Sequence, residues 1–527
     1  MMIFRLRIIP KLRHVAHCVL MATLIYLFVK WSGALRPPDS MPLVDPFAEY
    51  GVVFTIILYL FRLLPLLALP QSLTNLLGLT LYNAFPPKVR LKVAAQEAPF
   101  LCIRVVTRGD FPALVRHNVD RNLATCLDLG IENFAVEVVT DKAVYSESEL
   151  QRKSATSTQA SLGRRDEQSA ELASTQQQRS QVDETANPDQ VAIAVDPALP
   201  LASGGKVLHP KIRQTIVPPD YRTRTNAMFK ARALQYCLED DVNVLADNDY
   251  ILHLDEETLL TRDAVRGVLN FISSGQHPFG QGLITYANER IVNWVTTMAD
   301  TYRVADDLGK LRFQFNCFHK PLFSWKGSYV CTRAGAERAV SFDHGPDGSV
   351  AEDCYFSMVA YARGYSFEFI EGALWEKSPF TISDLIQQRK RWLQGIYLVV
   401  HSSKIPWRFK VWLACSLYAW ATMPLSTSNL FLAPNFPLPC PQTFNVTCEF
   451  IGALNLYMYI FGVLKSFSIK RLGFFGFFMC LALVVVAIPV NIFVENVAVV
   501  WGLLGKKHKF YIVDKNIKMS TKPLLPV

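Results

Sequence analysis

Long apolar segments at both ends of the chain limit its fold more than any other feature. Half of the 527 residues are hydrophobic, and they are concentrated in the runs 15–31, 50–69, 411–433, 450–464 and 472–504. Most of these runs approach the roughly 20 residues that a helix needs to cross a bilayer. The last run is too long for one span and contains Pro489, Asn491 and Glu495, so it predicts either a tilted helix with a re-entrant piece or two short spans. The sequence therefore predicts a polar domain inserted between two membrane regions.

The basic residues predict how the chain is oriented in the membrane. Arg5, Arg7, Lys11 and Arg13 precede the first apolar run and place the N-terminus in the cytosol, because positively charged flanks stay on the cytosolic side. Two spans return the chain to the cytosol, and the loop 434–449 with its sequon at Asn445 falls on the lumenal side. Several spans and a sequon predict an integral membrane protein of the endoplasmic reticulum or Golgi. The predicted parts are a two-span anchor at 1–85, a cytosolic domain at 86–406, a membrane region of three or four spans at 407–510 and a tail at 511–527.

The middle region alternates strand and helix patterns. Apolar, strand-like runs lie at 100–107, 134–140 and 250–254, with helical spacing at 114–129 and 226–238. This rhythm predicts an α/β domain with a largely parallel sheet covered by helices, and right-handed crossovers put the strand ends Thr107, Asp141 and Asp255 on one edge.

One segment of the middle region breaks the alternation. Residues 146–210 contain no Phe, Tyr or Trp. Such a segment cannot bury enough apolar surface to offset the entropy of ordering. We therefore predict a disordered surface insertion there.

An acidic cluster follows the third predicted strand. Asp255, Glu256 and Glu257 come directly after the run Tyr250–Leu254. Two acids at positions i and i+2 can share one hard divalent cation, which in turn can hold a diphosphate. Asp255 and Glu257 are therefore the predicted metal and diphosphate pair, whereas Glu256 points to the other face of an extended backbone. The alternative interpretation is a solvated acidic turn.

A second candidate cluster lies just before the third apolar run. Residues 382–400 have the spacing of an amphipathic helix, on which Gln388, Arg391 and Trp392 share one face. An Arg there can compensate diphosphate charge, and a Trp can offer an apolar surface to a sugar. The alternative is a membrane-interface helix with a snorkelling Arg and an anchoring Trp.

The order of these motifs resembles a known enzyme family. Asp-x-Glu at 255–257, Glu-Asp at 352–353 and Gln-x-x-Arg-Trp at 388–392 resemble the active-site series of inverting family 2 glycosyltransferases. Longer runs resemble the egghead-type β-1,4-mannosyltransferases of invertebrates: 103–112, 138–144, 253–260, 279–288, 323–330, 387–395 and 505–511. The likeness extends from about residue 43 to 513, apart from the predicted insertion.

The resemblance implies a GT-A type nucleotide-sugar-binding domain with GDP-mannose as donor. It implies as acceptor the 4-hydroxyl of the glucose on glucosylceramide, a membrane lipid. Thr107, Asp141, Lys230 and Asp255 are implied to bind the nucleotide sugar, and Asp353 to be the general base. Gln388, Arg391 and Trp392 complete the implied catalytic set. The family usually has Asp at the second metal position, where this chain has Glu257. Glu also offers the carboxylate oxygens that hard cations prefer, so Mn²⁺ or Mg²⁺ is expected.

Other functions are compatible with parts of the pattern. Gln-x-x-Arg-Trp is also frequent in processive polysaccharide synthases, although few spans flank this domain. A membrane transporter with a regulatory domain predicts ionisable residues inside the spans, and Glu495 is the strongest such candidate. The formal charge of +9 is spread along the chain, which favours membrane-surface and diphosphate affinity over nucleic-acid binding.

Overall fold

The computed structural model describes residues 2–36, 45–152, 211–287 and 291–506. Most of the predicted insertion, residues 153–210, and the predicted tail at 511–527 lie outside the described residues. The strands are β1 Leu101–Thr107, β2 Phe134–Thr140, β3 Ile212–Ile216, β4 Tyr250–Asp255, β5 Phe279–Thr285, β6 Val330–Arg333 and β7 Phe367–Trp375. The α-helices are Met2–Trp31, Pro46–Tyr50, Val52–Leu63, Leu69–Leu81, Pro112–Asp128, Phe229–Tyr236, Arg262–Ser274, Trp294–Asp306, Ala334–Val340, Glu352–Ala362, Ile382–His401, Val411–Ala421, Met423–Asn435, Gln442–Ser466 and Ile469–Leu504.

The described strands form one sheet in the order β3-β2-β1-β4-β6-β5-β7. The pairs β2·β3, β1·β2, β1·β4 and β5·β7 are parallel, whereas β6 is antiparallel to both β4 and β5. Thr107 pairs with Thr140, and Asp255 pairs with Val106. The carboxyl ends of the parallel strands therefore share one edge, and the predicted α/β fold with a mostly parallel sheet is confirmed.

A buried ionic network ties the central strands together. Arg104 on β1 is only 1% exposed, and its guanidinium contacts Glu137 on β2 at 2.8 Å and Glu337 at 3.3 Å. His253 on β4 contacts the other oxygen of Glu337 at 2.6 Å. Each buried charge has an opposite partner, as burial of ions requires. The network holds in register the strands whose ends carry the predicted site.

Among the described residues, four segments are long and apolar enough to cross a membrane, as expected of a membrane protein: Ile9–Trp31, Val52–Leu81, Gln442–Ser466 and Ile469–Leu504. The second segment passes through a 3₁₀ turn, Leu64–Ala68, at Pro65. Its last part, the helix Leu69–Leu81, packs directly on the sheet domain, because a Cβ on Gly78 would lie 2.0 Å from the carbonyl oxygen of Gly309.

The C-terminal membrane region differs from the predicted runs. The run 411–433 forms two helices, Val411–Ala421 and Met423–Asn435, because Pro424 lacks the N–H that would continue the first helix and suits the start of the second. The run 472–504 is neither of the predicted alternatives: it lies in one helical element, Ile469–Leu504, interrupted at Gly473 with φ 70°. The predicted loop 434–449 is already helical from Gln442.

Candidate active site

All the predicted site residues line one cavity of about 770 Å³. The cavity lies at the carboxyl edge of the sheet, between the strand ends and the helix Ile382–His401, which we call the interface helix. The predicted residues that line it are Thr107, Asp141, Lys230, Asp255, Glu257, Asp353, Gln388, Arg391 and Trp392. Sequence positions nearly 300 apart are thus brought to one place.

Lys230 lies at the centre of the polar part of this cavity. Its ammonium is 2.6 Å from Asp255 Oδ1 and 3.8 Å from Glu352 Oε1, and it donates to the carbonyl oxygen of Gly327 at 3.1 Å. Burial lowers the pKa of Lys230, but Asp255 and Glu352 outweigh it, so the pKa lies above its usual range. Lys230 is therefore a fixed cation that joins the end of β4 to the Glu352–Asp353 pair.

The strand-end acids form a donor set for a hard cation. Asp255 and Glu257 lie near Glu376, which follows β7 at the same edge of the sheet. Burial raises the pKa of Glu376, and the charges of Asp255 and Glu257 raise it further, although the hydroxyl of Thr258 lowers it. These carboxylates offer the oxygen atoms that a divalent metal prefers, and such an ion would relieve their mutual repulsion.

Glu352 and Asp353 begin the helix Glu352–Ala362. Burial raises the pKa of both carboxyls, and Asp353 raises that of Glu352 further. Gly327 faces them closely, since a Cβ on this residue would lie 3.1 Å from Asp353 Oδ2 and 3.4 Å from Lys230 Nζ. A side chain at position 327 would crowd the carboxylate, so glycine keeps the approach to Asp353 open.

Thr107 and Asp141 line the cavity at the carboxyl ends of β1 and β2. The Thr107 hydroxyl donates to Glu256 and accepts from the backbone N–H of Gly109 at 3.0 Å. Asp141 accepts from Arg232 at 2.8 Å and is 40% exposed. Thr107 thus shapes the loop after β1, whereas Asp141 presents a carboxylate to the cavity.

The interface helix contributes Gln388, Arg391 and Trp392 to the cavity lining. The guanidinium carbon of Arg303 lies 4.5 Å from the centre of the Trp392 ring, and that of Arg389 lies 4.6 Å from it. Cation–π contacts of this kind hold an aromatic ring in a fixed orientation. The structure therefore places Trp392 in a cationic environment rather than in lipid alone.

Arg389 connects the interface helix to the membrane helices. It contacts Asp300 Oδ1 at 2.8 Å and Glu495 Oε1 at 2.8 Å, and its side chain is 6% exposed. Glu495 also accepts from Trp420 Nε1 at 3.2 Å. Glu495 is the ionisable residue that the transporter hypothesis would place inside a span. It forms an ion pair with Arg389 of the interface helix, which lines the cavity.

Comparison with known proteins decides the family. Residues 250–493 match the family described as glycosyl transferase family group 2. The chain is 54% identical over 508 residues to β-1,4-mannosyltransferase egh from Drosophila melanogaster, covering 96% of this chain and 98% of that protein. It is 51% identical over 511 residues to β-1,4-mannosyltransferase bre-3 from Caenorhabditis elegans, covering 96% and 99%. The chain belongs to the β-1,4-mannosyltransferase family.

The expectation of an egghead-type mannosyltransferase is thus confirmed, and a member of this family uses a nucleotide-sugar donor and a glycan acceptor. Among solved structures, residues 1–349 of TarS from S. aureus align with a TM-score of 0.33 at 12% identity, covering 79% of this chain and 94% of that chain.

The paired carboxyls of this mannosyltransferase predict a pH dependence. Burial and the neighbouring Asp353 raise the pKa of Glu352 to about 7, and burial raises that of Asp353. The pair therefore takes up a proton as the pH falls through neutrality, whereas a general base must be ionised. Burial raises the pKa of the proposed base Asp353, so we expect kcat/KM to fall as the pH drops through this raised pKa and to level off above it, measured from initial rates at a series of pH values.

A substitution tests whether the two carboxyls share that proton. In the Glu352→Gln variant the like charge is gone, so Asp353 should ionise at lower pH and the acid limb should move down. The matched control is Glu147→Gln, an exposed position outside the cavity, which should leave the profile unchanged. If kcat/KM falls at the same pH in Glu352→Gln as in the wild type, the two carboxyls do not share the proton.

Arg389 is expected to carry much of the stability of the interface helix. Removing one partner from a buried ion pair costs about 3–5 kcal/mol, so Arg389→Met should lower the midpoint of thermal unfolding in detergent markedly. Glu495→Gln should cost less, because Arg389 keeps Asp300 and the new amide oxygen can still accept from Trp420. Arg408→Met, at an exposed position, is the control. Equal decreases of the unfolding midpoint in Arg389→Met and Glu495→Gln would refute the prediction that the loss of Arg389 costs more stability.

Tyr286, Arg303 and Glu376 are among the cavity-lining residues that sequence reasoning missed. Tyr286 and Glu376 come directly after β5 and β7, so the strand-end rule that singled out Asp255 applies to them as well. The sequence pattern does not mark β5 and β7 as strands, so this rule could not point to the residues that follow them. Arg303 lies inside a helix without a motif, and no sequence signal marks it.

Proposed function

We propose that this mannosyltransferase moves mannose from GDP-mannose to the 4-hydroxyl of the glucose on glucosylceramide, a step in glycosphingolipid synthesis. One observation carries the proposal. A single cavity beside the membrane helices holds the strand-end acids, the Asp353 carboxylate and the Gln388–Trp392 face of the interface helix. Donor, base and acceptor sites are thus contiguous, and the acceptor end adjoins the part of the molecule where a lipid lies.

Asp353 is proposed as the general base of an inverting displacement. The acceptor oxygen attacks the anomeric carbon of mannose while the bond from that carbon to the diphosphate breaks. The proton of the acceptor hydroxyl moves to the Asp353 carboxylate, and the electron pair of the broken bond leaves with GDP. Because the attack comes from the face opposite the diphosphate, the configuration at the anomeric carbon inverts. The open space over Gly327 leaves room for the hydroxyl beside Asp353.

The negative charge of the departing diphosphate needs positive partners. Lys230, which stays charged among Asp255, Glu352 and the Gly327 carbonyl, and Arg391 on the interface helix are proposed to provide them. Asp255 and Glu257 would hold Mn²⁺ or Mg²⁺, and such an ion, when bound, neutralises diphosphate charge. Thr107 and Asp141 are proposed to meet the nucleotide end of the donor.

The topology proposed from the basic residues agrees with this chemistry. A domain at 86–406 on the cytosolic face, between an anchor at 1–85 and a membrane region at 407–510, meets nucleotide sugars in the cytosol of the endoplasmic reticulum or Golgi. The cavity lining includes Ile396 of the interface helix and Trp420 of the apolar helix Val411–Ala421. The amphiphilic acceptor would rest its tails against this side and present its glucose to Asp353.

The test is an assay of detergent-solubilised membranes that contain this chain. GDP-mannose and glucosylceramide are supplied, and the product is analysed for the number of mannose residues and their linkage. A single mannose in β-1,4 linkage supports the proposal. Long mannose chains would instead identify a processive synthase, and transfer only from another nucleotide sugar or to another lipid would overturn the proposed donor or acceptor.

A further inference from the structure

A second polar cluster lines the same cavity beyond the residues assigned above. It is formed by Tyr286, Asp307, Trp325 and Lys326, which we call the deep cluster. Lys326 and Asp307 form an ion pair in which the Asp307 side chain is 1% exposed. Asp307 Oδ1, the Tyr286 hydroxyl and the Trp325 indole N–H are buried and have no hydrogen-bond partner within the described part of the chain.

Buried polar atoms without partners require an explanation, since most such atoms in folded proteins are hydrogen-bonded. Tyr286 is 4% and Trp325 is 5% exposed, so bulk water does not satisfy them. The cluster combines an acceptor, the Asp307 carboxylate, with two donors, a phenol and an indole. Hydroxyl groups both donate and accept, so a polyhydroxylated ligand matches this set. A metal does not match it, because an indole N–H offers no lone pair.

The deep cluster is adjacent to the proposed base. Lys326 precedes Gly327, the residue whose Cβ position lies 3.1 Å from Asp353 Oδ2. The Lys326 backbone N–H donates to Gln281 at 3.0 Å, which fixes the chain at this point. Trp325 stacks on Phe356, with ring centres 5.8 Å apart, and Phe356 lies on the helix that begins with Glu352 and Asp353. The deep cluster therefore adjoins the residues that carry the proposed base, both along the chain at Gly327 and through the contact between Trp325 and Phe356.

The same cluster adjoins a membrane helix. Asp307 begins a π-helical segment, Asp307–Leu311, which is held by polar side chains of the helix Leu69–Leu81. Asn75 accepts from the backbone N–H of Lys310 at 2.6 Å and donates to Asp306 at 3.0 Å. π-Helical turns occur frequently at functional sites. Polar residues inside an apolar helix are thus explained by their support of the segment that carries Asp307.

We propose that the deep cluster is the binding subsite for the acceptor hexose. Asp307 accepts a hydrogen bond from a sugar hydroxyl, while Tyr286 and Trp325 donate to neighbouring oxygens. The Lys326 ammonium of this cluster is already paired with the Asp307 carboxylate, so the pair does not offer a diphosphate a net positive charge. This inference rests on the proposed function and deepens it, because it assigns the residues that select a neutral sugar at the acceptor position.

The test uses Tyr286→Phe and Asp307→Asn in the full-length, detergent-solubilised enzyme with GDP-mannose and alkyl β-glucosides. We expect KM for the glucoside to rise several-fold in Tyr286→Phe and about tenfold in Asp307→Asn, while KM for GDP-mannose stays unchanged. Tyr286→Phe removes an oxygen that has no partner in the described residues, so its melting temperature should not fall. This variant keeps the test valid if Asp307→Asn folds poorly. The matched control is Tyr250→Phe, because Tyr250 is the first residue of β4, at the end away from Asp255, and does not line the cavity.

Deoxy-glucosides identify the hydrogen bond. The wild-type enzyme should discriminate against the analogue that lacks the hydroxyl bound by Tyr286, and Tyr286→Phe should lose that discrimination. Unchanged KM for the glucoside in both variants, or a rise in KM for GDP-mannose instead, would overturn the acceptor subsite. If the wild-type enzyme transfers no mannose to any glucoside or to glucosylceramide, the proposed function itself is overturned. Failure of the acceptor subsite can therefore be distinguished from failure of the proposed function.

Discussion

Replacing Asp353 with Asn is expected to abolish most mannose transfer. The amide keeps the size of the side chain but cannot take the proton of the acceptor hydroxyl, and a positioned general base contributes about 10²–10⁴-fold to the rate. Burial raises the pKa of Asp353, which makes its carboxylate a stronger proton acceptor than an exposed aspartate. The measurement is the initial rate of transfer in membranes with equal amounts of enzyme, and we expect a loss of at least about a hundredfold.

Binding of the donor should survive this substitution. Asp353 lies in the first turn of the helix Glu352–Ala362, beside Gly327, and is not one of the residues proposed to meet the nucleotide, so the Kd for GDP should change little. Asp240→Asn, an exposed carboxylate outside the cavity, controls for non-specific effects. Transfer retained to within a few-fold in Asp353→Asn would exclude this residue as the base.

Replacing Asp255 with Asn is expected to produce the second large loss. The residue pairs with Lys230 at 2.6 Å and, with Glu257, is the proposed holder of the divalent ion. Loss of one group that stabilises charge in the transition state costs about 10²–10³-fold in kcat. We expect a loss of this order in Asp255→Asn, together with a higher concentration of Mn²⁺ or Mg²⁺ needed for half-maximal activity.

Removing the metal tests the same assignment without a mutation. Treatment with a chelator should abolish transfer, and added Mn²⁺ or Mg²⁺ should restore it in the wild type but only weakly in Asp255→Asn. Asp249→Asn, at the opposite end of β4, is the control because its carboxylate lies outside the cavity. Full activity of the chelator-treated enzyme would show that Lys230 and Arg391 neutralise the diphosphate without an ion.

Local sequence patterns predicted several elements with accurate bounds. The run predicted as a strand at 134–140 is β2, and the helix predicted at 382–400 is Ile382–His401. These elements have a continuous apolar run or a clear amphipathic period, and such patterns report directly on burial. The shared edge of Thr107, Asp141 and Asp255 followed from the parallel connections alone.

Elements whose structure depends on partners were not predicted. β6 runs antiparallel between β4 and β5, and its four residues carry too little pattern to reveal it. Hydropathy also does not report the breaks at Pro424 and Gly473, because it measures the apolar character of a segment and not the backbone conformation of proline and glycine. Glu376 was missed for a similar reason, because its position at the site follows from β7 joining the sheet beside β5.

The sequence by itself determined the family, the order of the motifs and the presence of a sheet domain between apolar ends, because these properties reside in residue types and short periods along the chain. Only the tertiary structure decided which side chains meet. It pairs Arg389 with Glu495 across 106 positions and places Lys230 between two acidic pairs. It also buries polar atoms of Tyr286, Asp307 and Trp325 for which the described part of the chain offers no hydrogen-bond partner. Distances between residues far apart in sequence arise from packing of the whole chain, and packing is a property that no local pattern contains.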